Sequence, residues 1–301
     1  MTILAMTGGT GFVGKRTIDL ALAAGHSVRA LTRRPQPERD GVSWIEGALD
    51  TPEPLERLVN GADAVLHIAG VVNAPDRAGF AAGNIAGTQA VLDATRNAGV
   101  RRVVHVSSLA AREPSLSAYG WSKTESEAVV AASALDWSIV RPPAIYGPGD
   151  MEMRDLFRMA TSGFAALPPG GRVSVIHVDD IASLLLTLAT ADMPASILEP
   201  DDGRSGGWSH AELIRAIGVA VGRRVLPIAL PKPLLTLIAH ADKTFRGTGA
   251  KLTPDRVGYL CHPDWTVDPA KRPPSQLWQP NIATPVGLAA TAVWYRANGL
   301  L

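Results

Sequence analysis

An α/β architecture is expected here: a Rossmann-type, doubly wound parallel sheet with a smaller C-terminal α/β substrate-binding cap. Three observations point to it. Short apolar runs alternate with amphipathic helical patterns through the first half of the chain, as in a parallel sheet covered on both faces. The first of these runs passes into a helix through the glycine-rich stretch TGGTGFVG, residues 7–14. Beyond about residue 150 the rhythm changes, and proline and glycine grow denser in LPPGG (167–171), LEPDDGRSGG (198–207) and KRPPSQLWQP (271–280).

Strands are expected over residues 2–6, 27–31, 64–68, 102–106 and 137–140, all short, apolar and rich in β-branched residues. Helices are expected over 12–24, 54–59, 82–98 and 118–134, with Gly25 and Gly99 where a helix end favours positive φ. In the second half, helices are expected over 178–188, 209–221 and 286–297. The reading divides the chain into a nucleotide-binding domain, 1–150, and a region, 151–301, that is mostly cap but interleaves with the last strands of the main sheet and closes over the nucleotide.

Composition narrows the function classes. Of the 301 residues, 46% are hydrophobic and 19% charged, which fits a folded chain. Lys and Arg number 29 against 28 acids, a net charge of +1. That balance gives no electrostatic case for nucleic acid. One cysteine, Cys261, excludes an intrachain disulfide and a cysteine zinc site and fits a reducing, cytoplasmic setting. No signal peptide and no integral membrane segment is expected: SLLLTLATA (183–191) is short, and VLPIALPKPLLTLIAH (225–240) contains three prolines and a lysine. Residues 231–240 read first as a docking helix, with membrane-surface contact as the alternative. The histidines show no metal-ligand spacing and read as packing, so no metal is expected. No G-x-S-x-G elbow occurs. Trp208, Trp265, Trp278 and Trp294 read as cap packing.

The glycine stretch fits two patterns. Gly9, Gly11 and Gly14 spell G-x-G-x-x-G; Gly8, Gly11 and Gly14 spell G-x-x-G-x-x-G. Either one, between a strand and a helix, lets the backbone approach a pyrophosphate that the helix N-terminus then holds. An acid at the end of the second strand would hold the ribose of NAD. Here that strand ends in Thr32, Arg33 and Arg34. Guanidiniums favour a 2′-phosphate, so NADP(H) is expected over NAD(H), which remains the alternative. Arg33 is the better candidate because it is nearer the strand end.

YGWSK (119–123) puts Tyr119 and Lys123 on one helical face. A nearby ammonium is expected to lower the tyrosine pKa and fit it for proton transfer while the nicotinamide carries the hydride. The strand before that helix ends in Ser107 and Ser108, either of which would bond the same substrate oxygen.

These residues resemble the extended or atypical short-chain dehydrogenases/reductases of the NAD(P)-dependent epimerase/dehydratase type, along nearly the whole chain. TGGTGFVG matches the family's T-G-x-x-G-x-x-G, DAVLHIAG (63–70) its cofactor-lining strand, NIAGTQAVLDA (84–94) its N-x-x-G-T helix, VHVSS its serine strand and VRPPAIYGPGD (140–150) the segment beside the nicotinamide. HVDD (177–180) and WYRANGL (294–300) also look like extended members, and the pattern is similar to the branch that contains the respiratory complex I accessory subunit. The resemblance implies catalytic roles for Ser108, Tyr119, Lys123 and Asn84, the last as a structural or proton-relay group. It implies cofactor contacts from Gly8, Thr10, Gly11, Phe12, Val13, Gly14, Thr32, Arg33, Arg34, Leu49, Ile68, Ala69, Gly70, Lys123 and Pro142. Two departures stand out. Ala48 occupies the position of an adenine-contacting aspartate, and EPS replaces the usual tyrosine-glycine pair between Ser108 and Tyr119.

The expectation is an NADP(H)-dependent enzyme that moves hydride at a hydroxyl or carbonyl carbon of a small-molecule substrate. An NAD-dependent nucleotide-sugar epimerase or dehydratase and a non-catalytic NADPH-holding structural or sensing subunit are the alternatives. Assembly of identical copies is left open.

Overall fold

The structure, a computed structural model, describes residues 2–247, 252 and 254–301. Two compact units emerge. The first comprises the described residues of Met1–Pro142, Ile181–Glu199 and Pro273–Trp278; the second comprises Pro143–Asp180, the described residues of Pro200–Arg272, and Gln279–Leu301.

The chain opens with β1 (Ile3–Thr7), α1 (Phe12–Ala23), β2 (Ser27–Thr32), β3 (Val42–Glu46), α2 (Pro52–Val59) and β4 (Ala64–His67). A continuous helical stretch follows: α3 (Arg77–Phe80), a π-helical turn (Ala81–Ala86) and α4 (Gly87–Asn97). Then come β5 (Arg102–Val106), a 3-10 turn (Leu109–Arg112), α5 (Ala118–Ala131) and β6 (Asp136–Val140). The remaining elements are β7 (Ala144–Tyr146), α6 (Arg154–Thr161), β8 (Phe164–Leu167), β9 (Arg172–Val173), β10 (Val175–His177), α7 (Val178–Thr190), β11 (Ser196–Leu198), β12 (Trp208–Ser209), α8 (His210–Val221), β13 (Leu226–Ala229), α9 (Lys232–Arg246), α10 (Pro254–Leu260), β14 (Asp264–Trp265) and α11 (Thr284–Ala297).

The first unit holds a seven-stranded parallel sheet in the order β11-β6-β5-β4-β1-β2-β3. The chain builds outward from β1 through β2 and β3, then restarts at β4 on the other side. That reversal opens a crevice at the C-terminal ends of β1 and β4, where doubly wound sheets bind ligands. Register aligns Thr7 with His67, and His67 with His105. The strands are buried on both faces: Leu4, Ala5, Met6, Val65, Leu66, Val103 and Val104 have no exposed surface. One core cluster adds Leu55, Leu58, Val91, Leu92 and Ile139. Full burial of such a side chain stabilises by about 1.5–3 kcal/mol.

Among the described residues the second unit has three small sheets, β10-β7, β12-β9-β14 and β13-β8. Its core gathers Tyr146, Phe157, Trp208, Leu213, Ile217, Leu288 and Tyr295. α8 is framed by a capping box between Ser209 and Glu212 and by Gly222 in the left-handed region, two local stops that the sequence carries.

β3 and β11 were not expected. β3 is a half-exposed edge strand whose pattern lacks a buried run, and β11 has three residues. Trp278 corrects another expectation. It lies in the first unit, where its Nε1 donates to Ser183 Oγ at 2.8 Å, and so is not cap packing.

Candidate active site at the sheet reversal

The loop after β1 makes the tight turn that a nucleotide cradle needs. Gly8 has φ of +76°, and a Cβ there would stand 2.6 Å from Ala69 N. A Cβ on Gly14 would fall on the Gly8 carbonyl oxygen, so the first turn of α1 can pack on the loop only as glycine. Gly11 N donates to Gly8 O at 3.0 Å and Gly11 then caps α1 without a side-chain partner. Backbone N–H groups of the first turn, at Phe12, Val13 and Gly14, lack an acceptor within the helix. Thr10 and Gly11 are exposed, Phe12 and Val13 half-buried. This cradle fits a pyrophosphate. Gly9 is closely packed too: its Cβ would meet Ala30 and Ile18 side chains at 3.0 and 3.1 Å.

Thr32 is buried at the end of β2; its hydroxyl donates to Arg34 O at 2.7 Å. The threonine therefore shapes the turn. Arg33 and Arg34 are exposed beyond it, and neither has an ion-pair partner among the described residues. Leu49 is half-buried and lies against α4, so close that a Cβ on Gly87 would stand 2.9 Å from its Cδ1.

On the other side of the reversal, Ile68 N donates to Thr7 O (3.3 Å) and Ala69 N to Thr7 Oγ1 (3.2 Å), tying the two strand ends together. Gly70 lies beside the catalytic candidates: a Cβ there would stand 3.0 Å from Lys123 Nζ and 3.4 Å from Asn84 Oδ1. Asn84 sits in the π-helical turn and is buried. Its Oδ1 accepts from Val71 N at 2.6 Å, and its Nδ2 donates to Val71 O and Ser122 Oγ, both at 2.9 Å. Both amide protons are used, so the geometry favours a clamp over a proton relay.

Ser108 follows β5, and Tyr119 and Lys123 lie one turn apart on α5. Ser108 ends the β5 segment, and its Oγ accepts from Ala110 N at 3.2 Å. It also hydrogen bonds to the Tyr119 side chain. Ser107 is turned away and donates to Glu127 Oε1. Pro142 is buried, and its carbonyl accepts from Leu109 N at 3.1 Å, which braces the Ser108 turn. α5 starts with Ser117 Oγ accepting from Gly120 N at 2.9 Å. Lys123 Nζ donates to Val106 O at 2.9 Å. Burial pulls the Lys123 pKa down to about 8, opposed by the Glu127 carboxylate. One expectation is corrected here. The Tyr119 pKa is raised, not lowered, because burial outweighs the Ser108 hydrogen bond. The Lys123 ammonium gives one of its three protons to the Val106 carbonyl, and Lys123 is not among the causes that move the Tyr119 pKa.

Sequence reading missed the charges behind this site. Glu127 is one helical turn beyond Lys123. Arg141 Nη2 bonds Glu127 Oε2 at 2.6 Å, Arg141 Nη1 reaches Glu199 Oε1 at 3.3 Å, and Arg112 reaches Glu199 Oε2 at 3.4 Å. Glu199 is fully buried and Glu127 nearly so. The signal was available: Y-x-x-x-K continues to Glu127 at the same spacing. Beneath the ammonium, His67 and His105 stack with ring centroids 5.2 Å apart. His67 bonds Thr7 Oγ1 (2.7 Å) and Thr88 Oγ1 (3.0 Å), and His105 bonds Ser126 Oγ (3.2 Å). Burial, with Lys123 nearby, holds the His67 pKa down to about 3 and pushes His105 well below its usual range. Among the described residues no group of three or more His, Cys, Asp or Glu side chains is placed to hold a metal, and no helix is long and apolar enough to cross a membrane.

Comparison with known proteins identifies the family and the fold. The NAD(P)H-binding family model matches residues 8–192. A ceramide reductase of Caulobacter vibrioides is 36% identical over 99% of this chain and 96% of its own length. A UDP-glucose 4-epimerase of Vibrio cholerae is 25% identical over 76% of this chain and 78% of its own. Among solved structures, MoeE5 in complex with UDP-glucuronic acid and NAD superposes with a TM-score of 0.73 at 21% identity, over 99% of this chain and all of that one.

Proposed function

We propose that this chain, which belongs to the NAD(P)H-binding, extended short-chain dehydrogenase/reductase family of reductases and epimerases, is an NADPH-dependent reductase of a carbonyl on a ceramide-type lipid. The observation that carries the reading is the Ser108–Tyr119–Lys123 cluster at the sheet reversal, with Tyr119 held protonated by burial. Reduction requires a protonated acid at the start, and a tyrosine whose pKa is not lowered has its proton at neutral pH. The glycine cradle and the two unpartnered arginines support NADPH. Similarity to the ceramide reductase along 99% of the chain supports the substrate class.

A bound nicotinamide would supply hydride to the carbonyl carbon. As electron density moves to the carbonyl oxygen, Tyr119 Oη gives that oxygen its proton. Ser108 Oγ donates a hydrogen bond to the same oxygen and orients it. Lys123 stabilises the phenolate left behind and binds the ribose. Asn84 fixes Val71 and Ser122, and through them the wall beside Lys123. Gly8, Thr10, Gly11, Phe12, Val13 and Gly14 hold the pyrophosphate. Arg33, with Arg34 behind it, holds the 2′-phosphate. Leu49, Ile68, Ala69, Gly70 and Pro142 line the cofactor's path. Substrate choice is assigned to the cap, mostly residues 151–301.

The experiment is NADPH oxidation by the purified protein with a ketone-bearing ceramide analogue in detergent micelles, run beside NADH and beside a UDP-sugar with NAD. Turnover with NADPH and the lipid ketone is expected. Turnover of the UDP-sugar alone would replace the reading with an NAD-dependent epimerase or dehydratase. NADPH retention without turnover of any carbonyl would replace it with a binding role.

A further inference from the structure

α9 lies in the second unit, remote in sequence from the cluster above. One of its faces is docked: Ala239 has no exposed surface, and Leu235 and Thr236 are half-buried. The opposite face is also apolar. Leu234, Leu237, Ile238, Ala241 and Phe245 are exposed at a spacing of three and four residues, Leu237 by 66% and Phe245 by 88%. That spacing makes one continuous stripe. The strand that leads into α9 is apolar outward as well, with Leu226 paired to Phe164, and both side chains exposed. Clusters of this kind on a chain surface mark interaction sites.

Two further features say what covers the stripe. Residues 223–246 contain five Lys or Arg and one acid, Asp242, in a chain whose net charge is only +1. Arg223, Arg224 and Lys232 are exposed, and Arg246, also exposed, pairs with Asp242 at 3.2 Å; the remaining surplus of positive charge calls for an anionic occupant. The polar side chains beside the stripe are spent on their own helix. Thr236 Oγ1 donates to Lys232 O (3.0 Å), Thr244 Oγ1 donates to His240 O (2.8 Å), and His240 Nδ1 bonds Thr236 O (2.8 Å). A protein interface carries roughly one hydrogen bond per 100–200 Å², and this face offers few groups to make them. An apolar phase beneath anionic headgroups needs none. A second copy would bring like charges together.

We propose that α9 docks this protein onto the surface of an anionic phospholipid bilayer. Leu234, Leu237, Ile238 and Phe245 enter the headgroup–acyl boundary, and the flanking arginines and lysine meet lipid phosphates, as interfacial amphipathic helices do. Partitioning is the readout, so the proposal stands apart from the identity of the substrate.

The test is flotation of the full chain with vesicles of phosphatidylcholine alone and of phosphatidylcholine mixed with phosphatidylglycerol. The protein is expected to float with the mixed vesicles at low salt and to be released as salt rises. A Leu237→Glu/Phe245→Glu variant is expected to stay unbound with NADPH binding unchanged. Arg224→Ala and Lys232→Ala are each expected to lower partitioning roughly fivefold, the equivalent of about 1 kcal/mol per basic residue. Absence of the wild type from both vesicle fractions would overturn the proposal, as would equal flotation of the glutamate variant. Salt-independent binding to phosphatidylcholine alone would refute the anionic partner. A wild-type dimer in light scattering that Leu237→Glu/Phe245→Glu converts to monomer would reassign the stripe to a contact between copies.

Discussion

Tyr119 illustrates how far a local motif carries. Its place on one helix with Lys123, one turn away, was legible from the spacing. Its ionisation was not, because burial and the Val106 carbonyl are properties of the folded environment. Tyr119 is half-buried, desolvation disfavours its ionisation, and a phenol is the form that reduction consumes. Tyr119→Phe is therefore expected to lower kcat by roughly 10²–10⁴-fold, the usual scale of general acid catalysis, while NADPH titration by fluorescence stays unchanged. Loss of NADPH binding in that variant would show a structural role instead. Arg33 gives the complementary case. Removing a charge-assisted hydrogen bond costs about 1.5–3 kcal/mol, so Arg33→Ala is expected to weaken NADPH binding roughly 10–100-fold and leave NADH binding unaltered. An Arg33→Ala protein that still prefers NADPH would remove the arginine from the site.

Helix α5 gathers what its residues do singly. Tyr119, Lys123 and Glu127 follow at intervals of four, and the Glu127 carboxylate opposes the burial that depresses the lysine. Arg141, on the segment after β6, holds that carboxylate in place. Breaking a buried charge pair by removing one partner costs about 3–5 kcal/mol. Glu127→Gln is expected to lower the denaturation midpoint accordingly. It is also expected to move the alkaline limb of kcat/KM for reduction from near pH 8 to lower pH, because Lys123 then loses its proton more readily. A pH profile that superposes on the wild type would leave Glu127 a purely structural residue. Most of the sheet was legible at this level. β1, β2, β4, β5 and β6 are mostly buried and carry short apolar stretches, broken by Arg29 in β2 and by Ser138 in β6. Gly25 and Gly99 take positive φ at helix ends, as their positions suggest. β3 escaped because an edge strand needs no such run. The π-helical turn escaped because nothing in AAGNIA signals a widened helix; the Asn84 side chain within it bonds Val71 and Ser122, which come from elsewhere in the chain.

The two units differ in how they answer acid. The first buries His67 and His105 as neutral rings, with the His67 pKa at about 3 and His105 well below its usual range. An unfolded histidine binds its proton near pH ~6.5. Between that value and the folded pKa the unfolded chain binds more protons, so the stability these rings contribute is full above about pH 6.5 and is lost as pH falls towards 3. The second unit buries Asp150 and Asp180, whose carboxyls are raised chiefly by desolvation. Their sign is opposite: the folded state holds the proton longer, and mild acid favours it until pH drops below the ordinary aspartate range. The units are therefore expected to separate on acidification. Hydrogen exchange read by mass spectrometry at pH 7 and pH 5, with rates corrected for pH, should show protection falling in β4 and β5 while α8 and α11 are retained. His67→Gln replaces the titrating ring with a neutral amide. It is expected to start less stable at pH 7, for loss of the Thr7 and Thr88 contacts, and to have a shallower pH dependence in the first unit. Equal loss of protection in both units, or an undiminished slope in His67→Gln, would mean that the histidine stack does not set the acid limit of this fold.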